Sequence, residues 1–149
     1  MYLKVSLSDD LYKELILDHS QNPSYREPLS DVSVRESGVN RSCGDEVELE
    51  LFIKDKTICG ICVSGQGCAI CMASGSMMAE SVHGMTTHEA SSLVEIFKAM
   101  ILRKEKVIFP EELEDLQAMQ GVRKYPIRVK CATLPWNTLE QALKNSEHL

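Results

Sequence analysis

Residues 46–82, EVELELFIKDKTICGICVSGQGCAICMASGSMMAESV, carry the pattern from which the rest of the chain can be placed. In the first eight, Val47, Leu49, Leu51 and Ile53 fall on one side of an extended chain, and Glu46, Glu48 and Glu50 fall on the other. Successive side chains of a strand point to opposite faces, so this alternation predicts a half-buried strand with one wet face. Asp55-Lys56 is a short polar turn, and Thr57 to Ser64 follows as another strand. After Gly65-Gln66-Gly67 the period changes. Residues 68–82, rich in Ala, Met, Ser and Cys, predict a closely packed helix that Gly84 ends.

Working outward, residues 32–39 read as extended, which completes a three-stranded antiparallel meander with one covered face. Ser8 or Asp9 can cap a first helix running to about His19, with Leu11, Leu15 and Ile16 on one side. Asn22-Pro23 ends it, because proline disfavours helix at the residue before it. Downstream, Thr86 or Thr87 caps a helix in which Leu93, Val94, Phe97, Met100 and Ile101 keep helical spacing to about Arg103. Residues 104–125 form a charged connection holding Pro110 and a short acidic helix, EELEDL. A last helix is expected from about Pro126 to Lys144, with Ile127, Leu134, Leu139 and Leu143 as core positions and a fraying tail beyond. These elements predict a single α+β domain over residues 1–149: a three-stranded antiparallel sheet with helices packed on one face.

The bulk numbers agree with one globular domain. The chain has 149 residues, 44% of them hydrophobic, enough for a real core. A formal net charge of -6 and no basic stripe argue against gripping nucleic acid or anionic lipid, which needs clustered Lys and Arg. The first twenty residues hold Asp9, Asp10, Lys13, Glu14 and Asp18 and no apolar run of signal-peptide length. No uncharged apolar stretch approaches the roughly 18 residues of a membrane span. A cytoplasmic protein is therefore expected. There the six cysteines are metal ligands or reactive thiols rather than a disulfide framework.

Three segments bear chemistry. In Ser42-Cys43-Gly44-Asp45 a tight turn at the glycine can bring a thiolate and a carboxylate, both ordinary zinc ligands, to one side. The alternative is a surface turn with an incidental cysteine. Gly65-Gln66-Gly67-Cys68 places a thiol at a helix N-terminus, where unpaired N–H groups favour the thiolate, or the cysteine simply packs in the first turn. In Arg128-Val129-Lys130-Cys131 two cations precede a thiol near a helix start, against the alternative of a core cysteine. Cys59-Gly-Ile-Cys62 and Cys68-Ala-Ile-Cys71 lie too close together for a paired zinc knuckle. Cys59 and Cys62 should also point to opposite faces of a regular strand unless a bulge at Gly60 intervenes. Cys71 is an auxiliary thiol at best. The four histidines show no metal-ligand spacing, and Met72, Met77, Met78 and Met85 read as core filler.

Taken in order, Cys-Gly-Asp, then Gly-x-Gly-Cys opening an Ala/Ser/Met helix, then Arg-x-Lys-Cys-Ala-Thr-Leu-x-Trp resembles the IscU/NifU-like superfamily over nearly the whole chain. The SufU branch fits better. The stretch GVRKYPIRVKCATL is similar to the SufU insertion and its approach to the last helix. Lys130 also stands where cluster-building IscU scaffolds usually carry a histidine. The resemblance implies a tetrahedral Zn²⁺ site of Cys43, Asp45, Cys68 and Cys131, with Arg128 as an auxiliary, charge-compensating partner. It implies that a SufS-like cysteine desulfurase opens the site with one of its histidines. The freed Cys43 then accepts persulfide sulfur for a downstream iron–sulfur scaffold. The alternative is that the same four residues hold a [2Fe–2S] cluster on an assembly scaffold. Cys59, Cys62 and Cys71 depart from the family pattern. So does Pro135, which would remove a hydrogen bond and kink a helix already running through Cys131, and is harmless if the helix starts near Leu134.

Overall fold

The computed structural model describes residues 2–148, with side chains from residue 12 onward. Three strands, β1 (Val34–Asn40), β2 (Asp45–Lys54) and β3 (Thr57–Gln66), pair antiparallel in the order β1-β2-β3. Their edges lie within two residues of expectation, and β3 starts at Thr57 as expected. The Asp55-Lys56 turn joining β2 to β3 has φ of 51° and 59°, both left-handed, as a two-residue type I′ hairpin requires. Val47, Leu49 and Leu51 are buried, whereas Glu46 and Glu48 are exposed, so the alternation reports the faces correctly.

The helices α1 (Tyr2–Gln21), α2 (Ala69–Val82), α3 (Thr87–Leu102) and α4 (Pro126–Ser146) build the covered side. α1 begins earlier than a Ser8 or Asp9 cap allows. Nothing in residues 2–7 breaks a helix, so both cap-type residues lie inside it. Leu15 and Ile16 pack against the core, while the placing of the Leu11 side chain lies outside the described residues. Thr86 caps α3 through a full capping box: its hydroxyl accepts from the Glu89 N–H at 3.1 Å, and the Glu89 carboxylate accepts from the Thr86 N–H at 2.9 Å. Such a cap stabilises a helix by about 1 kcal/mol. Phe97 of α3 stacks on Trp136 of α4 at 4.2 Å between centroids, and both are fully buried. Each buried aromatic of this kind contributes about 1.5–3 kcal/mol through burial.

Two expectations need correction, and the alternative left open at Pro135 is decided. The acidic EELEDL helix is the start of a longer 3₁₀ segment, Glu111–Lys124. Such runs seldom persist alone; here Leu116, Ala118, Met119 and Val122 anchor it in the core. Ile127 is 71% exposed rather than buried, because it sits in the first turn of α4, ahead of the core face that begins at Cys131. Pro135 lies inside α4, so the Cys131 carbonyl has no N–H at position 135 to receive.

The sheet's second face is only partly wet. Between α1 and β1 the chain crosses it: the Leu29 N–H donates to Glu50 at 3.1 Å, and Arg26 donates to the Gly65 carbonyl at 3.3 Å. Cys62, which pairs with Glu50 across the strands, is buried there at 4% exposure. Phe52 pairs with Gly60 and Ile53 with Ile58. Cys59 is thus the extra residue of a bulge, one position before Gly60, the site considered for an exception to a regular strand, and it is exposed. The Cys59/Cys62 pair is therefore split between solvent and interior.

Candidate metal centre

The β1–β2 loop, residues 41–44, turns at Gly44, whose φ of 71° favours a residue without Cβ. The turn carries Cys43, half-buried, and hands the chain to Asp45, the first residue of β2, which is fully buried. At the other end of the hairpin Gly67 lets the chain press against that acid. A Cβ at residue 67 would lie 2.5 Å from Asp45 Oδ1. The close approach lets the Cys68 backbone N–H donate to the same oxygen at 2.9 Å. Cys68 is the N-cap of α2, in extended conformation and half-buried. Cys131 comes from the second turn of α4 and is fully buried.

These elements bring one donor atom each from Cys43, Asp45 and Cys131 within 4.8 Å of one another. Among the described residues no other group of His, Cys, Asp and Glu does so. Four donors at zinc bond lengths sit about 3.8 Å apart or less around a tetrahedron, so the trio needs little movement to close on an ion. The Cys68 sulfur does not join the trio at that distance, although its charge and hydrogen bonding act on Cys131. Three thiols and a carboxylate are a fitting donor set for zinc, and equally one that iron accepts.

Electrostatics tie the group together. Burial pushes the Cys131 thiol well above the usual thiol range, and hydrogen bonding with Asp45, Cys43 and Cys68 adds to it. The Arg128 guanidinium is held more firmly protonated, first by hydrogen bonding toward Cys131 and then by the charge of Cys68. Arg128 is exposed, so it stands at the mouth of the cluster. Lys130 is exposed and offers no ligand. Cys71 is 1% exposed, with its pKa pushed up to about 12, chiefly by burial and then by Asp45, Cys68 and Cys43. It is a core thiol near the cluster. His83 and His88 are exposed, His19 is buried against Ser76 Oγ at 2.7 Å, and none of the three joins the donor group.

Sequence reasoning missed Asn40. It is buried, and its side-chain amide donates to Asp45 Oδ2 at 3.1 Å and toward Cys131 Sγ at 3.6 Å. A signal existed: alternation along β1 turns Val34, Gly38 and Asn40 inward, and an inward-facing polar side chain needs a partner.

The family described as NifU-like N terminal domain matches residues 11–145. The chain is 36% identical to the zinc-dependent sulfurtransferase SufU of Bacillus subtilis over 93% of each chain. It is 35% identical to the iron–sulfur cluster assembly scaffold protein IscU of Streptococcus pyogenes over 99% of this chain and 93% of the relative. A crystal structure of a SufU from Fervidobacterium islandicum, described as an iron–sulfur cluster assembly scaffold for the SUF system, superimposes with a TM-score of 0.80 at 37% identity, covering 87% of this chain and 94% of that one. By the match to its domain and by these relatives, the chain belongs to the NifU-like N-terminal domain family, alongside SufU and IscU proteins.

Proposed function

We propose that this protein is a zinc-dependent sulfur carrier that takes persulfide sulfur from a cysteine desulfurase for iron–sulfur cluster assembly in the cytoplasm. The observation carrying this reading is the convergence of Cys43, Asp45 and Cys131 donors within 4.8 Å, with Cys43 half-buried and the other two fully buried. Cys43, Asp45, Cys68 and Cys131 are the residues that would hold the ion. When bound, zinc keeps all the thiolates inert until a ligand is displaced.

The chain's own residues then divide the work. Asp45, pinned by the Cys68 N–H, and Cys131, set in α4, stay in the interior. Cys43, on a turn rather than in a helix or strand, is the thiol that can leave. Freed as a thiolate, it attacks the terminal sulfur of a protein persulfide. A Cys43–S bond forms, the donor's S–S bond breaks, and the donor departs as a thiolate, so charge and atoms balance. Arg128 at the mouth stabilises negative charge on whichever sulfur carries it. No helix among the described residues is long and apolar enough to cross a membrane.

The test is transfer of labelled sulfur from a desulfurase, with and without Cys43→Ala. Loss of acceptance supports the assignment, and acceptance at the normal rate refutes it. A second reading, a [2Fe–2S] assembly scaffold, is favoured by the relatives named as scaffolds. Its discriminating result is an anaerobically reconstituted cluster that moves intact to an apo-protein. The exposure of Lys130, where a further ligand would stand, weighs toward the carrier.

A further inference from the structure

Asn40 closes β1 directly opposite Asp45 in the register, so the four-residue loop carrying Cys43 begins and ends on this pair. Its amide has two N–H groups and meets two acceptors that arrive from different parts of the fold: a carboxylate oxygen at the start of β2 and a sulfur from α4. Asp45 Oδ1 is already held by the Cys68 N–H. The Asn40 amide therefore fixes the second oxygen, and with it the plane of the carboxylate. Both contacts come from the amide nitrogen, whose two N–H groups can serve the two atoms at once. Residues that hydrogen-bond metal ligands from behind set ligand orientation and commonly change affinity 10- to 100-fold.

We infer that Asn40 is a positioning residue of the metal centre: its amide couples Asp45 to Cys131 and holds both in the geometry that an ion requires. This inference rests on the metal-site reading above. Alanine removes both contacts. Serine can serve one acceptor and not both. Aspartate, of the same shape, sets an acceptor against two acceptors.

The experiment is zinc competition against a chromophoric chelator on the full chain, with thermal melting of each metal-free variant, and the absorption spectrum of the Co²⁺-loaded protein as the readout of ligand geometry. Asn40→Ala should bind zinc about 10- to 100-fold more weakly and shift the Co²⁺ spectrum. Asn40→Ser should fall between it and the parent, and Asn40→Asp should lose at least as much as alanine. Asp45→Ala should bind more weakly than any of them. Equal affinity and an unchanged Co²⁺ spectrum for the parent and Asn40→Ala, with Asp45→Ala impaired, overturns this inference while leaving the metal-site reading intact. If Asn40→Ala does not fold, the comparison of Asn40→Ser with the parent decides: equal affinities overturn it. A parent protein that retains no zinc against weak chelation overturns both.

Discussion

Gly67→Ala adds a single carbon to the chain and aims it at the proposed ligand Asp45. The new Cβ would sit 2.5 Å from Asp45 Oδ1 and 3.2 Å from the Asp45 Cα and Cβ. Non-bonded heavy atoms settle near about 3.5 Å, so the carboxylate oxygen must retreat by roughly 1 Å. That retreat takes it away from the Cys68 N–H, now 2.9 Å distant, and out of hydrogen-bond reach. Asp45 is fully buried, so no water replaces the lost donor. Leaving a buried hydrogen-bonding group without its partner costs about 1–3 kcal/mol, which for a chain of this size is a fall in Tm of roughly 2–12 °C. Zinc affinity should drop by at least about tenfold, because metal–ligand distances tolerate only about 0.2 Å of error. The assays are calorimetry of the metal-free protein and chelator competition for zinc. Gly121→Ala is the control, since nothing lies within 4 Å of its added Cβ. If Gly67→Ala melts and binds zinc like Gly121→Ala, the contact between Gly67 and Asp45 has no energetic role and the reasoning fails.

Three further outcomes are expected. Ser74 is buried, accepts from Trp136 Nε1 at 3.0 Å and donates to the Ala132 carbonyl at 2.6 Å. Ser74→Ala strands the indole N–H and should cost about 1–3 kcal/mol, read as a lower urea midpoint by fluorescence of the single tryptophan; an unchanged midpoint contradicts it. The Glu50 carboxyl is held below its ordinary 4.5, first by the Leu29 N–H against the opposing effect of burial, with Arg35 assisting. A carboxyl whose folded pKa is depressed stabilises fully above its unfolded pKa and loses that contribution as pH falls through the folded value. The melting difference between the parent and Glu50→Gln should therefore narrow on acidification below 4.5, and a difference constant with pH counts against the interaction. Brief alkylation of the native protein should label exposed Cys59 and spare Cys71, which is 1% exposed and held neutral by a pKa of about 12. Peptide mass mapping that finds Cys71 labelled before unfolding would show the helix opening more readily than its packing implies.

Periodicity and punctuation made most of the fold legible from the amino-acid order. Val47, Leu49 and Leu51 against Glu46 and Glu48 record a strand with one wet face, and the spacing of Leu93, Val94, Phe97, Met100 and Ile101 behind Thr86 records a capped helix. Each of these is a property of neighbours along the chain, where φ/ψ preference and side-chain direction repeat at 2.0 or 3.6 residues. The three cysteine segments were visible in the same way, as residue types beside glycines and cations.

Which donors meet, and what holds them, depended on pairings that local pattern does not encode. The bulge at Cys59 follows from the register of β3 on β2, the burial of Cys62 from a segment that crosses the sheet, and the exposure of Ile127 from where the core face of α4 begins. Asn40 became meaningful only when the β1–β2 register set it opposite Asp45 and α4 brought Cys131 to its amide. Strand and helix types arise from short-range sterics and alternation, so the amino-acid order by itself determined them. The gathering of Cys43, Asp45 and Cys131 comes from burying one apolar face of α4 against the sheet, a long-range balance of packing and hydrogen bonding that only the tertiary structure decided.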